Sequence, residues 1–239
     1  MSQKVLIWDL ETGGVNAFKA DLGFIICFGY KWLGEKRTKV LTVNQYPKWF
    51  SKKGGGVNDL GLLRHALAIM EKADLTVAHY GERFDRRFFQ GRCVINGLLP
   101  PPPTKMRDTW RIAKTAFSFQ SNRLGDLARI LGLPEQKHQK TREEWPGWWH
   151  RAAAGDSTVF QEIGKYCAQD VRTTEQVYLR IRQYDEPHPR LVPIEERVAC
   201  RLCGGEVVYR GYSYLGIYRY RRYFCKTCGR WDRNRYRSK

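Results

Sequence analysis

The sequence predicts a mixed α/β domain, with a central mixed sheet flanked by helices, followed by a small C-terminal β ribbon. Three observations carry this. The apolar run Val5–Trp8 opens a strand-rich meander that gives way to strands alternating with helical patterns. Over Ser157–Gln183, apolar positions such as Phe160, Ile163, Cys167, Val171, Tyr178 and Ile181 recur at helical spacing. Near the end, Cys200-x-x-Cys203 and Cys225-x-x-Cys228 bracket a stretch in which Tyr and Arg nearly alternate.

Taken in order, Val5–Trp8 reads as a buried strand, since its residues are apolar and favour β structure. Phe24–Leu33 and Thr38–Tyr46 read as strands paired around Gly34-Glu35, and Pro47–Asn58, with three glycines, as a loop. Leu60–Ala73 has the pattern of an amphipathic helix. Thr76–Tyr80 is a short strand that turns at Gly81 into a helix over Glu82–Asn96, with Phe84, Phe88, Phe89 and Val94 as its apolar stripe. Pro100–Pro103 stiffens the entry to a strand at Met106–Asp108. Asp156 or Ser157 caps the long helix, and Glu162 lies in its early turns. Pro187, Pro189 and Pro193 mark a linker. The expected division is residues 1–185, a linker at 186–196, and a ribbon at 197–239. No apolar stretch has membrane-spanning length and the N-terminus lacks a secretory h-region, so a reducing, cytoplasmic setting is expected.

Four acids stand in three apolar settings. Asp9 and Glu11 follow the first strand at i and i+2, so they share a face, roughly 7 Å apart along the strand. Two anions that close repel unless a cation lies between them, and hard oxygen ligands favour Mg²⁺ or Mn²⁺. The plainer reading is that they cap a chain reversal at Gly13-Gly14. Asp85 falls on the first turn of its helix, where an acid also complements the helix dipole. Tyr166 and Asp170, at i and i+4, share a face of the long helix. An acid among core-facing positions needs a partner, which is either a cation or a basic residue such as Arg172 or Arg129.

These segments resemble the DEDD exonucleases, the DnaQ-like 3′→5′ exonucleases of ribonuclease H-like fold, over roughly residues 4 to 184. Asp9-x-Glu11 resembles the first motif, Asp85 the second and Tyr166-x-x-x-Asp170 the third; Arg107-Asp108-Thr109 and Leu124–Ala128 resemble the segment between the last two. The tyrosine resembles the DEDDy branch, because Lys165 stands where the other branch carries its histidine. Tyr80 stands where many members have Asn. The resemblance implies two Mg²⁺ or Mn²⁺ ions, with Asp9 bridging both, Glu11 and Asp170 completing the first site, and Asp85 holding the second through water. It implies that Tyr166 orients the attacking water, that the product is a nucleoside 5′-monophosphate, and that Gly13, Gly14 and Phe84 line the pocket for the terminal nucleotide. Single-stranded DNA is the favoured substrate, since Trp8-Asp9-Leu10-Glu11-Thr12 looks closest to polymerase-associated domains. RNase D-like RNA trimming and a non-catalytic binding subunit are the alternatives. A polymerase or other replication or repair partner is not readable from the chain.

The cysteine spacing predicts a ribbon holding one structural Zn²⁺ on Cys200, Cys203, Cys225 and Cys228, in a segment too short for an apolar core to suffice. Cys27, Cys93 and Cys167 lie in apolar settings and read as buried thiols. Between the pairs, Val207–Phe224 reads as a hairpin turning near Leu215-Gly216. Arg210, Tyr212, Tyr214, Arg219, Arg221 and Arg222, with Arg230 and Arg233 beyond, suit single-stranded nucleic acid, placing phosphates on Arg and bases on Tyr. Residues 197–239 hold twelve Lys and Arg against Glu206 and Asp232, a formal excess of +10 within the chain's +18. That concentration points to a polyanion, and without an amphipathic basic helix or lipidation signal a membrane surface is not the expected one. Trp145, Trp148 and Trp149 read as core cover; His79 and His138 have no ligand spacing to a partner.

Overall fold

The computed structural model describes residues 3–51, 56–134, 144–191 and 199–233. His138, the side chain of Trp145, the linker residues Pro193 to Glu196, Arg197 and the tail residues Arg235, Arg237 and Lys239 lie outside them.

The chain divides into two compact units, Lys4–Tyr178 and Leu179–Lys239 with Met1–Gln3. The first is built on a five-stranded sheet. Its strands are β1 (Val5–Gly14), β2 (Gly23–Trp32), β3 (Lys39–Thr42), β6 (Leu75–Ala78) and β7 (Lys105–Asp108), in the order β3-β2-β1-β6-β7. β1, β2 and β3 form an antiparallel meander, whereas β6 and β7 run parallel to β1. The sheet is therefore mixed, as the alternation of patterns predicts. Central β1 has Val5 to Trp8 buried in succession, the continuous apolar run expected of a strand covered on both faces. A two-stranded hairpin, β4 (Phe50–Ser51) with β5 (Gly56–Val57), occupies part of the segment expected to be loop.

The helices are α1 (Leu60–Met70), α2 (Asp85–Ile95), α3 (Thr109–Ala116), α4 (Leu124–Ile130), α5 (Glu144–Ala153) and α6 (Phe160–Ile181). α1 buries Leu62, Leu63, Ala66, Ile69 and Met70, the stripe its spacing requires. α6 is shorter than its apolar pattern. A 3-10 turn at Ser157–Val159 precedes it, capped by the Asp156 side chain accepting the Thr158 N–H, and another at Arg182–Tyr184 follows. Trp8, Phe28 and Phe89 meet in the centre of the core, with Trp148 and Trp149 packed against its margin.

Three expectations need correction. Gly13-Gly14 is no chain reversal: both residues stay in β1, paired with Phe24 and Gly23, and a bulge between Glu11 and Thr12 bends the strand instead. Val94 is 75% exposed, so the buried side of α2 is Asp85, Phe88, Phe89 and Cys93. Strand β6 ends at Ala78, and Tyr80 adopts a left-handed φ of 62°. Among the described residues, no helix is long and apolar enough to cross a membrane.

In the second unit, β8 (Val207–Leu215), β9 (Tyr218–Cys225) and β10 (Trp231–Arg233) form a sheet of order β10-β9-β8. The β8–β9 hairpin turns at Gly216, which has a φ of 56°. Cys200, Leu202 and Cys225 make its small buried centre.

Candidate active site and metal centre

Asp9 pairs with Gly29 across the β1–β2 ladder. A Cβ on Gly29 would fall 2.6 Å from Cys167 Sγ and 3.1 Å from Val171 Cγ2. The absent side chain is what lets α6 lie against the sheet at the level of Asp9. Cys167 Sγ then sits 3.7 Å from both the Asp9 carbonyl oxygen and Oδ2. This seating carries Tyr166 and Asp170 to the end of β1 where Asp9 and Glu11 stand. Carboxylate oxygens of Asp9, Glu11 and Asp170 all lie within 4.8 Å of one another, a spacing able to hold a metal ion. Asp9 and Glu11 are half-buried and Asp170 is buried. Asp85 is not within that triad. It starts α2, is buried, and accepts the Leu10 N–H through Oδ1 at 3.1 Å, between the two acids of β1.

The electrostatics are those of crowded anions. Burial first, and then the charges of Asp108 and Asp170, push the Asp85 carboxyl up to about 7, against the pull of its backbone hydrogen bonds. Burial, followed by the charges of Asp170, Glu11 and Asp9, drives the Tyr166 phenol far above its ordinary value. Tyr166 therefore keeps its proton and can donate a hydrogen bond but not serve as a base.

Asp108 is a residue that sequence reasoning placed only in a strand. Buried at the start of α3, it caps that helix, Oδ1 accepting from Trp110 N and Arg111 N. The same carboxylate accepts Tyr80 N at 2.8 Å and Glu82 N at 3.0 Å, so it holds the left-handed turn that delivers Asp85. An Asp directly before a helical pattern is the local signal for the cap; nothing local signals the second role. His79 Nδ1 lies 2.8 Å from Thr109 Oγ1 in the same layer.

Gly13 and Gly14 do not line a pocket. A Cβ on Gly13 would press on Ile26 and Phe24, and one on Gly14 would meet Leu22 O and Gly23 Cα at 2.7 Å. Phe84 is half-buried between Phe88 and Phe18, and Phe18 is 79% exposed.

In the second unit the four expected cysteines converge. Cys200 and Cys228 sulphurs are 3.8 Å apart and those of Cys203 and Cys225 3.6 Å, with all four within 4.8 Å of one another. A tetrahedral ion with Zn–S bonds of about 2.3 Å has an edge of about 3.8 Å. Disulfide sulphurs would be about 2 Å apart. Each pair ends in a left-handed glycine, Gly204 or Gly229, whose N–H donates to the carbonyl of the first cysteine. Burial works to raise the Cys225 thiol, but hydrogen bonds from the backbone of Cys228 and Thr227 and from neighbouring thiols bring it down to about 7. The cluster thus favours thiolate at one of its members.

The basic aromatic residues split between two faces of the ribbon sheet. Arg219 lies 4.5 Å from the Tyr212 ring and Arg221 4.4 Å from that of Tyr209 on one face, with Tyr214 opposite Arg219 in the ladder. Arg222 lies 4.9 Å from the Trp231 ring on the other. Arg230 differs from the expectation: it is 3% exposed, and donates to the carbonyls of Arg182, Asp185 and Glu186. Its donors bind the start of the linker to the ribbon rather than facing solvent.

The mixed β3-β2-β1-β6-β7 sheet with acids gathered at the end of its central strand defines a ribonuclease H-like protein. The chain belongs to the RNase H superfamily, whose family profile matches residues 6–182. Among solved structures, the family B DNA polymerase of the hyperthermophilic archaeon Pyrobaculum calidifontis is similar at a TM-score of 0.58 and 14% identity. The match covers 77% of this chain and 25% of that one, so the chain spans about a quarter of the polymerase's length. A search of curated proteins finds no match.

Proposed function

We propose that the chain is a metal-dependent 3′→5′ exonuclease of the tyrosine-type DEDD branch, acting on single-stranded DNA and releasing nucleoside 5′-monophosphates. The observation that carries this reading is the convergence of Asp9, Glu11 and Asp170 within 4.8 Å, with Tyr166 one helical turn from Asp170. All-oxygen donors suit Mg²⁺ or Mn²⁺. Such ions, when bound, neutralise the phosphate and provide a nucleophilic water at neutral pH. Asp9, Glu11 and Asp170 would hold one ion and Asp85, joined to them through Leu10, would serve a second. Tyr166, still protonated, would hold the attacking water by donating or accepting a hydrogen bond. The ribbon at residues 197–239 would hold a structural Zn²⁺ on its four cysteines and retain the single strand, with residues 1–185 as the nuclease and 186–196 as the connection. Unoxidised thiols throughout suit a reducing, cytoplasmic setting.

The test uses 5′-labelled single-stranded DNA and RNA of matched sequence with Mg²⁺ or Mn²⁺. A ladder shortening one nucleotide at a time, absent for Asp9→Ala, is the expected result, with DNA the faster substrate. Binding of both polymers without cleavage of either would replace the enzyme with a scaffold that only binds. Faster trimming of RNA would move the substrate to RNA.

A further inference from the structure

In the second unit, Arg222 and Arg233 stand directly opposite each other across the β9–β10 ladder. Like charges in that position destabilise a sheet. Both line a cleft of about 520 Å³, within the range that takes a small organic ligand. The two other arginines of the cleft are engaged already: Arg201 and Arg230 share the Asp232 carboxylate, and Arg230 holds the carbonyls named above. Arg222 is held in place from two sides. Its Nε donates to the Arg210 carbonyl at 3.1 Å, at the bulge where Gly211 has a φ of 69°, and its guanidinium lies over the Trp231 ring. Arg233 leans toward the Tyr220 ring, 5.5 Å away. The cleft wall also carries the buried Ser213 Oγ, which has no hydrogen-bond partner among the described residues. Trp231, another lining residue, is 47% exposed.

We propose that this cleft takes one nucleotide of a single strand, its phosphodiester between Arg222 and Arg233 with Ser213 donating, and its base on the open part of Trp231. The proposal rests on the reading that the ribbon retains single-stranded nucleic acid, and assigns that role to this face rather than to the Tyr212–Arg219 face. An anion between the two arginines would relieve their repulsion, and a phosphate has oxygens enough for both guanidinium groups and the hydroxyl. An acidic peptide would supply the anion but no ring for the indole, and base–aromatic stacking is what an exposed indole beside fixed cations serves.

The experiment uses the full chain carrying Asp9→Ala to prevent cleavage, a 5′-labelled 12-nucleotide DNA, and anisotropy across a KCl series. Arg222→Gln with Arg233→Gln is expected to lower the slope of log affinity against log salt by about 1.4, two phosphate contacts at about 0.7 each. Trp231→Leu is expected to weaken binding about tenfold with the slope unchanged. Arg219→Gln with Arg221→Gln, on the opposite face, is expected to leave affinity within about twofold. Loss for that opposite pair, with the cleft variants binding like their parent, overturns the cleft and leaves the ribbon's role standing. No change for either pair overturns both. Polyglutamate displacing the DNA as well as an unlabelled oligonucleotide of equal charge overturns the nucleotide assignment. Zinc retention is measured for every variant. If Arg222→Gln releases zinc, Arg233→Gln alone decides, with an expected fall in slope of about 0.7 at an exposed position.

Discussion

Asp85 shows how far the residues of the site are held from their preferred state. An unfolded aspartate loses its proton near 3.8, whereas Asp85 in the fold holds it up to about 7. Between those values the unfolded chain binds fewer protons than the folded one, so stability falls as pH rises through that window. Asp85→Asn keeps an oxygen for the Leu10 N–H and removes the penalty. Without divalent cations at pH 8, this variant is expected to be more stable than the parent by about 2 kcal/mol, a gap that closes toward pH 4. Urea melts at both pH values read it directly, and equal midpoints at pH 8 would contradict it. Its nuclease activity should meanwhile be lost, which marks the acid as retained for function. Tyr166→Phe should lower kcat by about a hundredfold. The parent's pH–rate profile should show no phenol inflection near pH 10, because burial and three carboxylates hold the proton in place.

At the scale of elements, the contact of α6 with β2 decides whether there is a site. Two motif halves, one on β1 and one on α6, meet because Gly29 leaves room for Cys167 and Val171. Gly29→Ala should cost about 1–3 kcal/mol by overpacking and should reduce cleavage beyond what the stability loss accounts for. Adding Cys167→Ala removes the atom that the new methyl would strike. A double-mutant cycle of thermal melts should therefore show positive coupling, with cleavage partly restored. Additive losses would mean that the helix is not seated by this contact. Helices α2 and α3 are linked in a similar way, since the Asp108 carboxylate caps one and holds the turn entering the other.

At the scale of the molecule, stability and binding are divided between the two units. The first has an extensive apolar core, whereas the second has a buried centre of three residues, two of them cysteines. Cys200→Ser should therefore release zinc and lose the ribbon sheet, while the melting transition of the first unit stays where it was. DNA binding should weaken and its salt slope fall, because twelve basic residues lie in that segment. Cleavage of short oligonucleotides should persist. Circular dichroism, zinc release and anisotropy separate these outcomes, and an unchanged salt slope would remove the ribbon from the binding account.

Much of this was legible along the chain. The period-two run into Asp9-x-Glu11, the i, i+4 pair Tyr166 and Asp170, and the Cys-x-x-Cys-Gly repeats are local patterns, and local geometry carries them into a strand, a helix and two metal-type knuckles. Backbone periodicity alone puts two carboxylates on one face or two thiols in one turn. What only the tertiary structure decided depends on contacts between distant segments. Gly13 and Gly14 look like a turn until Phe24 and Gly23 pair with them. Arg230 looks like a surface cation until three carbonyls of a distant segment surround it. Asp108 looks like the end of a strand until the turn at Tyr80 closes on it. The residue types, and the chemistry they can perform, were set by the sequence itself; which of them are buried, which carboxylates crowd one another and which arginines face a cleft depend on long-range packing, which is not encoded in the spacing of neighbours.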